Sequence, residues 1–153
     1  MYSVFDIAYW FLQNVDRVSS KKLQKLTYYA YAWYILMNNE TADNIENRFF
    51  YGRYEAWIHG AVCPELYNKY KSFGPSDIPK YTGEVKDFSE DDLDLLNQII
   101  EVYGKYSGNQ LESICHQEDP WIKARGSLSA YESCQNVFSD TDIYKYYSAR
   151  VNG

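Results

Sequence analysis

Everything else in the chain must accommodate one stretch, Lys21-Lys22-Leu23-Gln24-Lys25-Leu26-Thr27-Tyr28-Tyr29-Ala30-Tyr31-Ala32-Trp33-Tyr34-Ile35-Leu36-Met37. Leu23, Leu26, Thr27, Ala30, Trp33, Tyr34 and Met37 recur at helical spacing on one face. From Leu26 onward the opposite face, with Tyr29, Ala32 and Leu36, is apolar or aromatic as well. A helix that is hydrophobic most of the way round has to be covered on several sides, so the spacing predicts a central buried helix over 21–37 with Trp33 in the core. It is about 25 Å long, roughly the width of a small domain, and too short and too polar at its start to cross a membrane. The expected fold class is therefore mainly α: a single compact helical domain over residues 1–153 around that helix, with at most a small β-hairpin.

The first turn of this helix breaks local rules. Ser20 is placed to cap it. Lys21, Lys22 and Lys25 then crowd the positive end of the helix dipole, and Lys21 and Lys25 are a like-charge i,i+4 pair. Each fault costs about 0.3–1 kcal/mol. Two readings are open. The lysines are solvated or pair with carboxylates brought in by the fold, with Glu55, Glu118 and Asp119 as candidates, or they receive an acidic partner or an anion.

Ser3 with Asp6 has the form of a capping box ahead of an amphipathic helix bearing Val4, Phe5, Ala8, Phe11, Leu12 and Val15. Asn38-Asn39 stops the central helix, since Asn tolerates the left-handed position that follows a helix. Phe49-Phe50-Tyr51 and Tyr54-Glu55-Ala56-Trp57 flank Gly52-Arg53 and predict a small hairpin or two short strands. Gly60 turns the chain, and Pro64 suits the first position of a helix carrying Leu66, Tyr67 and Tyr70. Pro75 to Asp87 reads as a surface loop. Ser89 with Asp92 opens a helix with Leu93, Leu96, Ile99, Ile100 and Tyr103; Ser107 with Gln110 opens a short one with Leu111, Ile114 and Cys115. Asp119 caps another, with Pro120 at its first position, and Ser139 with Asp142 opens the last, bearing Ile143, Tyr146 and Tyr147.

Hydrophobic residues make up 46% of the 153 and charged residues 24%, the balance of a globular protein with a real core. A net charge of −6 opposes general nucleic-acid binding, which rests on phosphate neutralisation, and suits a basic protein partner. No membrane span or signal peptide is visible, because Val4 to Val15 is interrupted by Asp6, Gln13 and Asn14. Three cysteines without close spacing indicate reduced thiols and a cytoplasmic address. The 17 tyrosines, beside 4 Trp and 7 Phe, fit either an interface rich in amphipathic rings or the codon bias of an AT-rich genome.

Catalytic signatures are mostly missing: there is no GxGxxG, P-loop, HExxH or CxxC. Cys63, Cys115, Cys134, His59 and His116 match no zinc spacing, and neighbours such as Cys115 and His116 point about 100° apart on a helix. No catalytic residue, metal or cofactor is expected. The enzymatic alternative is His116 with a carboxylate such as Glu118 or Asp119. His59 and His116 each lie near a tryptophan, in Trp57-Ile58-His59-Gly60 and in His116-Gln117-Glu118-Asp119-Pro120-Trp121. They are either partly buried histidines bonded to backbone or carboxylate, or contacts for a partner.

These segments, with others, form a pattern. Lys22-Leu23-Gln24-Lys25-Leu26-Thr27-Tyr28-Tyr29-Ala30 with Trp33-Tyr34 is followed by Glu55-Ala56-Trp57, Gly60-Ala61-Val62 and Pro64-Glu65-Leu66-Tyr67. Then come Tyr103-Gly104-Lys105-Tyr106-Ser107-Gly108, Leu111, His116, Pro120-Trp121 and Lys123-Ala124. In this order, across essentially the whole chain, they resemble the Panacea antitoxin domain family, the SocA-like and GepA-like phage-associated proteins. The family usually has Gly-Pro-Val where this chain has Gly60-Ala61-Val62, and Leu-Leu-Tyr-Tyr where it has Leu26-Thr27-Tyr28-Tyr29. The resemblance implies an antitoxin that binds and neutralises a co-encoded toxin of a bacterium, prophage or mobile element. Similarity to a proteolytic adaptor implies, as the alternative, delivery of a partner to an AAA+ protease. Many relatives carry an extra domain, for which 153 residues leave no room. The surface expected to meet the partner takes Lys22, Lys25, Tyr29, Trp57, His59, His116 and Trp121. Rule-breaking residues tend to mark functional or strained sites, and tryptophan and tyrosine often dominate binding energy.

Overall fold

The computed structural model describes Met1–Asn152. Its elements are α1 (Val4–Asn14), α2 (Ser20–Met37), β1 (Glu55–Trp57), β2 (Gly60–Val62), α3 (Pro64–Tyr70), a 3-10 turn at Lys71–Phe73, α4 (Glu90–Tyr103), α5 (Gly108–His116), α6 (Asp119–Arg125) and α7 (Asp140–Asn152). The protein is mainly α, with a single small hairpin among the described residues. Helix α2 is the centre: Leu23, Leu26, Tyr28, Tyr29, Ala30, Ala32 and Ile35 are wholly buried. It packs against α1, α3, α4, α5, α7 and β2. None of the described helices is long and apolar enough to cross a membrane.

Local sequence signals account for most helix starts. Ser3 with Asp6 and Ser107 with Gln110 form complete capping boxes. The Ser89 and Ser139 hydroxyls accept the amides of Asp92 and Asp142. For α2 the cap is Ser19 rather than Ser20; its hydroxyl accepts the Lys22 amide. Met37 and Trp33, both expected inside the core, are among the α2 residues that are not. Met37 is exposed, and Trp33 is only half-buried, against Tyr147, with its indole N–H donating to the Tyr103 hydroxyl at 2.9 Å. The reason is a groove that α4 and α7 leave over the last turns of α2.

The hairpin lies further along the chain than the aromatic runs suggest. Phe49 and Phe50 are buried in irregular chain, while β1 starts at Glu55 and pairs antiparallel with β2 in the register Glu55–Val62, Ala56–Ala61 and Trp57–Gly60. Gly60 decides this. It takes φ +98° at the turn, whereas Gly52 is not among the positive-φ glycines, and left-handed backbone is what glycine supplies at no steric cost. The far edge of β1 is also occupied: the Ala56 amide donates to Asn136 O, and Phe138 N–H donates to Tyr54 O.

Helix α2 holds the hairpin by a side chain where a strand would otherwise be needed. Gln24 Nε2 donates to Cys63 O at 3.1 Å, and Gln24 Oε1 accepts the Cys63 amide at 2.8 Å. Thr27 donates to Gln24 O at 3.0 Å and accepts from the Tyr54 hydroxyl at 2.9 Å. Its hydroxyl is therefore satisfied inside the core. Gln24→Ala strands both Cys63 backbone groups in a buried site, and each loss costs about 1–3 kcal/mol. Urea denaturation is expected to show a destabilisation of about 2–5 kcal/mol; an unchanged midpoint would show that this pair does not couple α2 to the hairpin.

Candidate functional site

The first-turn lysines find acceptors far from their own helix. Lys22 Nζ donates to Gly104 O at 2.6 Å. Gly104 is the C-cap of α4, where outward carbonyls carry negative partial charge. A cation disfavoured at the start of α2 thus sits at the end of α4. Lys25 donates to Ala61 O at 2.9 Å and is 1% exposed. Burial brings its ammonium down to about 8, with Cys115 and Glu112 acting the other way. Gly60 makes the room, since a Cβ there would lie 2.9 Å from Lys25 Cε. The Ala61 amide faces the Cys115 sulfur, whose thiol burial pushes up to about 12. That amide is thus directed at Cys115 and not at β1. Lys21 stays outside, bonded to Glu112 at 2.8 Å. The carboxylate partners expected for Lys22 and Lys25 are thereby corrected to backbone carbonyls.

A second buried polar group lies nearby. Glu118 is the N-cap of α6 but makes no capping bond. Its Oε1 instead accepts from Tyr29 at 2.9 Å and from Tyr147 at 3.1 Å, and Tyr29 stacks on Tyr103 with centroids 4.0 Å apart. Burial raises the Glu118 carboxyl to about 7, against the two tyrosine hydroxyls and Arg150, which lower it. Because Glu118 is drawn inward, the helix starts one residue earlier than expected: Asp119 is its first residue rather than its cap, and Pro120 its second.

The histidine and tryptophan segments meet at the hairpin. His116 Nε2–H donates to Ile58 O at 2.6 Å. Trp121 Nε1–H donates to Trp57 O at 2.9 Å, and the His116 and Trp121 rings lie 4.4 Å apart. Trp57 turns outward, its N–H on Glu55 Oε1 at 2.9 Å and its ring edge-on to Tyr67 at 5.0 Å. His59, at the turn, is exposed and bonds Glu112 Oε1 through Nδ1 at 3.0 Å. His116 and Glu118 each engage other groups and are not bonded to each other.

Of the seven residues expected on a partner surface, Lys22, Lys25, Tyr29 and Trp121 are buried. Trp57 and His116 are half-buried, and His59 alone is fully on the surface. His59 separates two depressions. One, of about 500 Å³, is lined by Arg17, Lys21, Lys22 and Asn109; the other, of about 270 Å³, by Trp57, Ile58 and Gln135. Sequence reasoning missed Arg125, whose buried guanidinium donates to Ala56 O at 2.7 Å and to Ser129 O at 2.6 Å, and also to Glu132 O. It also passed over Gln24, although a lone amide in a helix of aromatic residues was a usable signal. The three cysteines are free and buried. Among the described residues no cluster of His, Cys, Asp and Glu is arranged to hold a metal ion.

Opposite pH dependences follow from the two buried ionisable groups. Glu118 keeps its proton to about 7 in the fold but only to 4.5 when unfolded. The folded state then binds more protons, and stability falls as pH rises through that window. Lys25 keeps its proton to 10.5 unfolded but only to about 8 folded, so stability rises between those values. In pH-dependent urea denaturation, Glu118→Gln is expected to gain on wild type up to neutral pH, and wild type to gain on Lys25→Met in the alkaline window, each by roughly 3 kcal/mol. Parallel curves for variant and wild type would show that these groups titrate as they do in water.

Residues 23–122 match the family described as antitoxin SocA-like, Panacea domain. No curated protein and no solved structure matches the chain. The matched region begins with Leu23 on α2 and ends at Ile122 on α6. It contains the hairpin, every helix side chain that bonds its carbonyls except Arg125, and the buried Glu118, and it covers well over half of the chain: the protein belongs to the SocA-like antitoxin Panacea domain family.

Proposed function

We propose that this chain is an antitoxin that neutralises a co-encoded protein toxin by direct, stoichiometric binding, and that the contact is centred on the outer face of the β1–β2 hairpin. The observation that carries the proposal is family membership over residues 23–122. The choice of face follows from what is free. Lys22, Gln24, Lys25, Thr27 and Tyr29 are committed to hydrogen bonds inside the fold. His59, with Trp57, the rim of His116 and Lys21, remains available beside two depressions. Lys25 and Trp121 then serve the contact by bonding hairpin carbonyls, while Lys22 ties α2 to the end of α4 and Tyr29 ties it to Glu118. A net charge of −6 favours a basic toxin. A prophage or mobile element is the setting this reading suggests, with the encounter in the cytoplasm.

Co-expression with the product of the adjacent reading frame tests this. Wild type is expected to restore growth; His59→Ala and Trp57→Ala are expected to lose rescue with little change of melting temperature. Tyr29→Phe, which removes a donor to Glu118, is expected to lower the melting temperature first. A neighbour harmless by itself would overturn the antitoxin reading, and full rescue by both hairpin variants would move the contact elsewhere. Rescue that disappears in hosts lacking their AAA+ proteases would replace stoichiometric binding with delivery for degradation.

A further inference from the structure

A different face carries an observation that the hairpin does not use. Two depressions, of about 140 and 470 Å³, share Trp33, Met37 and Gln98 and so form one groove across the C-terminal end of α2. Its walls are α4, through Leu95, Ile99 and Val102, and α7, through Tyr144 and Val151. Met37, Val102 and Val151 are 57%, 52% and 63% exposed, so large apolar side chains face water from all three helices. The stretch of α4 from Leu95 to Tyr103 is about 12 Å long, enough to lie along two turns of another helix.

The charge on the α4 wall of this groove has one sign, while the bases of α7, Lys145 and Arg150, line a separate depression with Asp119 and Lys123. Helix α4 carries Glu90, Asp91, Asp92, Asp94 and Glu101 and no basic residue. Asp92 accepts from Tyr2; none of the other four takes part in an ion pair among the described residues. Asp94, Gln98 and Glu101 follow one another at i,i+4 and i,i+3 spacing, one exposed stripe along the groove wall. Helix α2 has a last turn without a base, so its negative C-terminal end adds to this sign, whereas the end of α4 is already met by Lys22. An acidic partner or a second copy of a chain with net charge −6 is disfavoured there. We infer that the α2–α4–α7 groove receives an amphipathic helix with a basic flank, its apolar residues over Trp33 and Met37 and its cations along Asp94 and Glu101. This mode of recognition places spaced apolar anchors in a helix-lined groove. It rests on the antitoxin reading only for the helix's owner, which on that reading is the toxin.

The test uses the full chain and a fluorescent leucine/lysine amphipathic peptide of about 18 residues, five helical turns, with a leucine/glutamate peptide as its opposite. The leucine/lysine peptide is expected to bind saturably, one to one, and less well as salt rises. The pair Met37→Asn with Val102→Asn, and separately Asp94→Lys with Glu101→Lys, should each weaken binding by about tenfold or more. Ile122→Asn with Val137→Asn, exposed apolar positions elsewhere, should leave it unchanged. All these sites are exposed, and melting temperatures confirm folding. Equal binding of both peptides, or groove variants that bind like wild type, would overturn the inference. So would sedimentation showing a wild-type dimer that Met37→Asn with Val102→Asn dissociates, because a second copy would then own the groove. If peptide binding behaves as expected while the neighbouring product proves harmless, the groove stands and the antitoxin reading falls.

Discussion

A buried backbone carbonyl must be given a donor, and in this protein helix side chains supply it. The strands of the hairpin are three residues each, too short to be stable as an isolated pair. Its carbonyls at Ala56, Trp57, Ile58 and Ala61, and that of Cys63 just beyond, accept from Arg125, Trp121, His116, Lys25 and Gln24 respectively. Three helices, α2, α5 and α6, thus grip one turn of chain through five side chains of different length. Tertiary contacts fix the position of His59, as the packing of a third strand would in an ordinary sheet.

The same constraint explains the buried charges. Perturbed titration often marks a catalytic group, and a lysine brought down to about 8 and a glutamate raised to about 7 invite that reading. Their partners argue otherwise. Lys25 reaches a strand carbonyl, and Glu118 receives two tyrosine hydroxyls from different helices. Each group joins two segments of chain, and each shift follows mainly from desolvation. The cost of burying the charge is met by hydrogen bonds that no apolar side chain could make.

What was legible in the sequence was local. Ser-x-x-Asp and Ser-x-x-Gln pairs mark helix starts because cap and partner sit within one turn, and the run from Leu23 to Ala32 shows its burial by composition alone. The hairpin was misplaced because aromatic residues at Phe49–Tyr51 satisfy a strand pattern, while the deciding fact was the backbone angle at Gly60 and the space Lys25 needs beside it. The lysines' acceptors were hidden for a related reason. Carbonyls carry no sequence signature, so Gly104 and Ala61 could not be distinguished from any other residue. Arg125 was overlooked at the end of a short helix for the same reason. Trp33 and Met37 have core-like sequence but lie where two neighbouring helices leave a groove, which periodicity does not encode.

A signature consumed by the scaffold says little about partners. Lys22, Gln24, Lys25, Tyr29, His116 and Trp121, all in the pattern that the chain shares with SocA-like proteins, are occupied inside the fold, so exchanging one disturbs the scaffold before it alters any contact. Charge on α4 is under no such restraint. Asp91, Asp94, Gln98 and Glu101 face water, and surface substitutions of this kind usually change stability by no more than about 0.5 kcal/mol. Electrostatic complementarity governs specificity and association rate more than raw affinity. A scaffold built this way can keep its interior fixed while a handful of exposed acids is left to set the charge of the helix inferred for the groove.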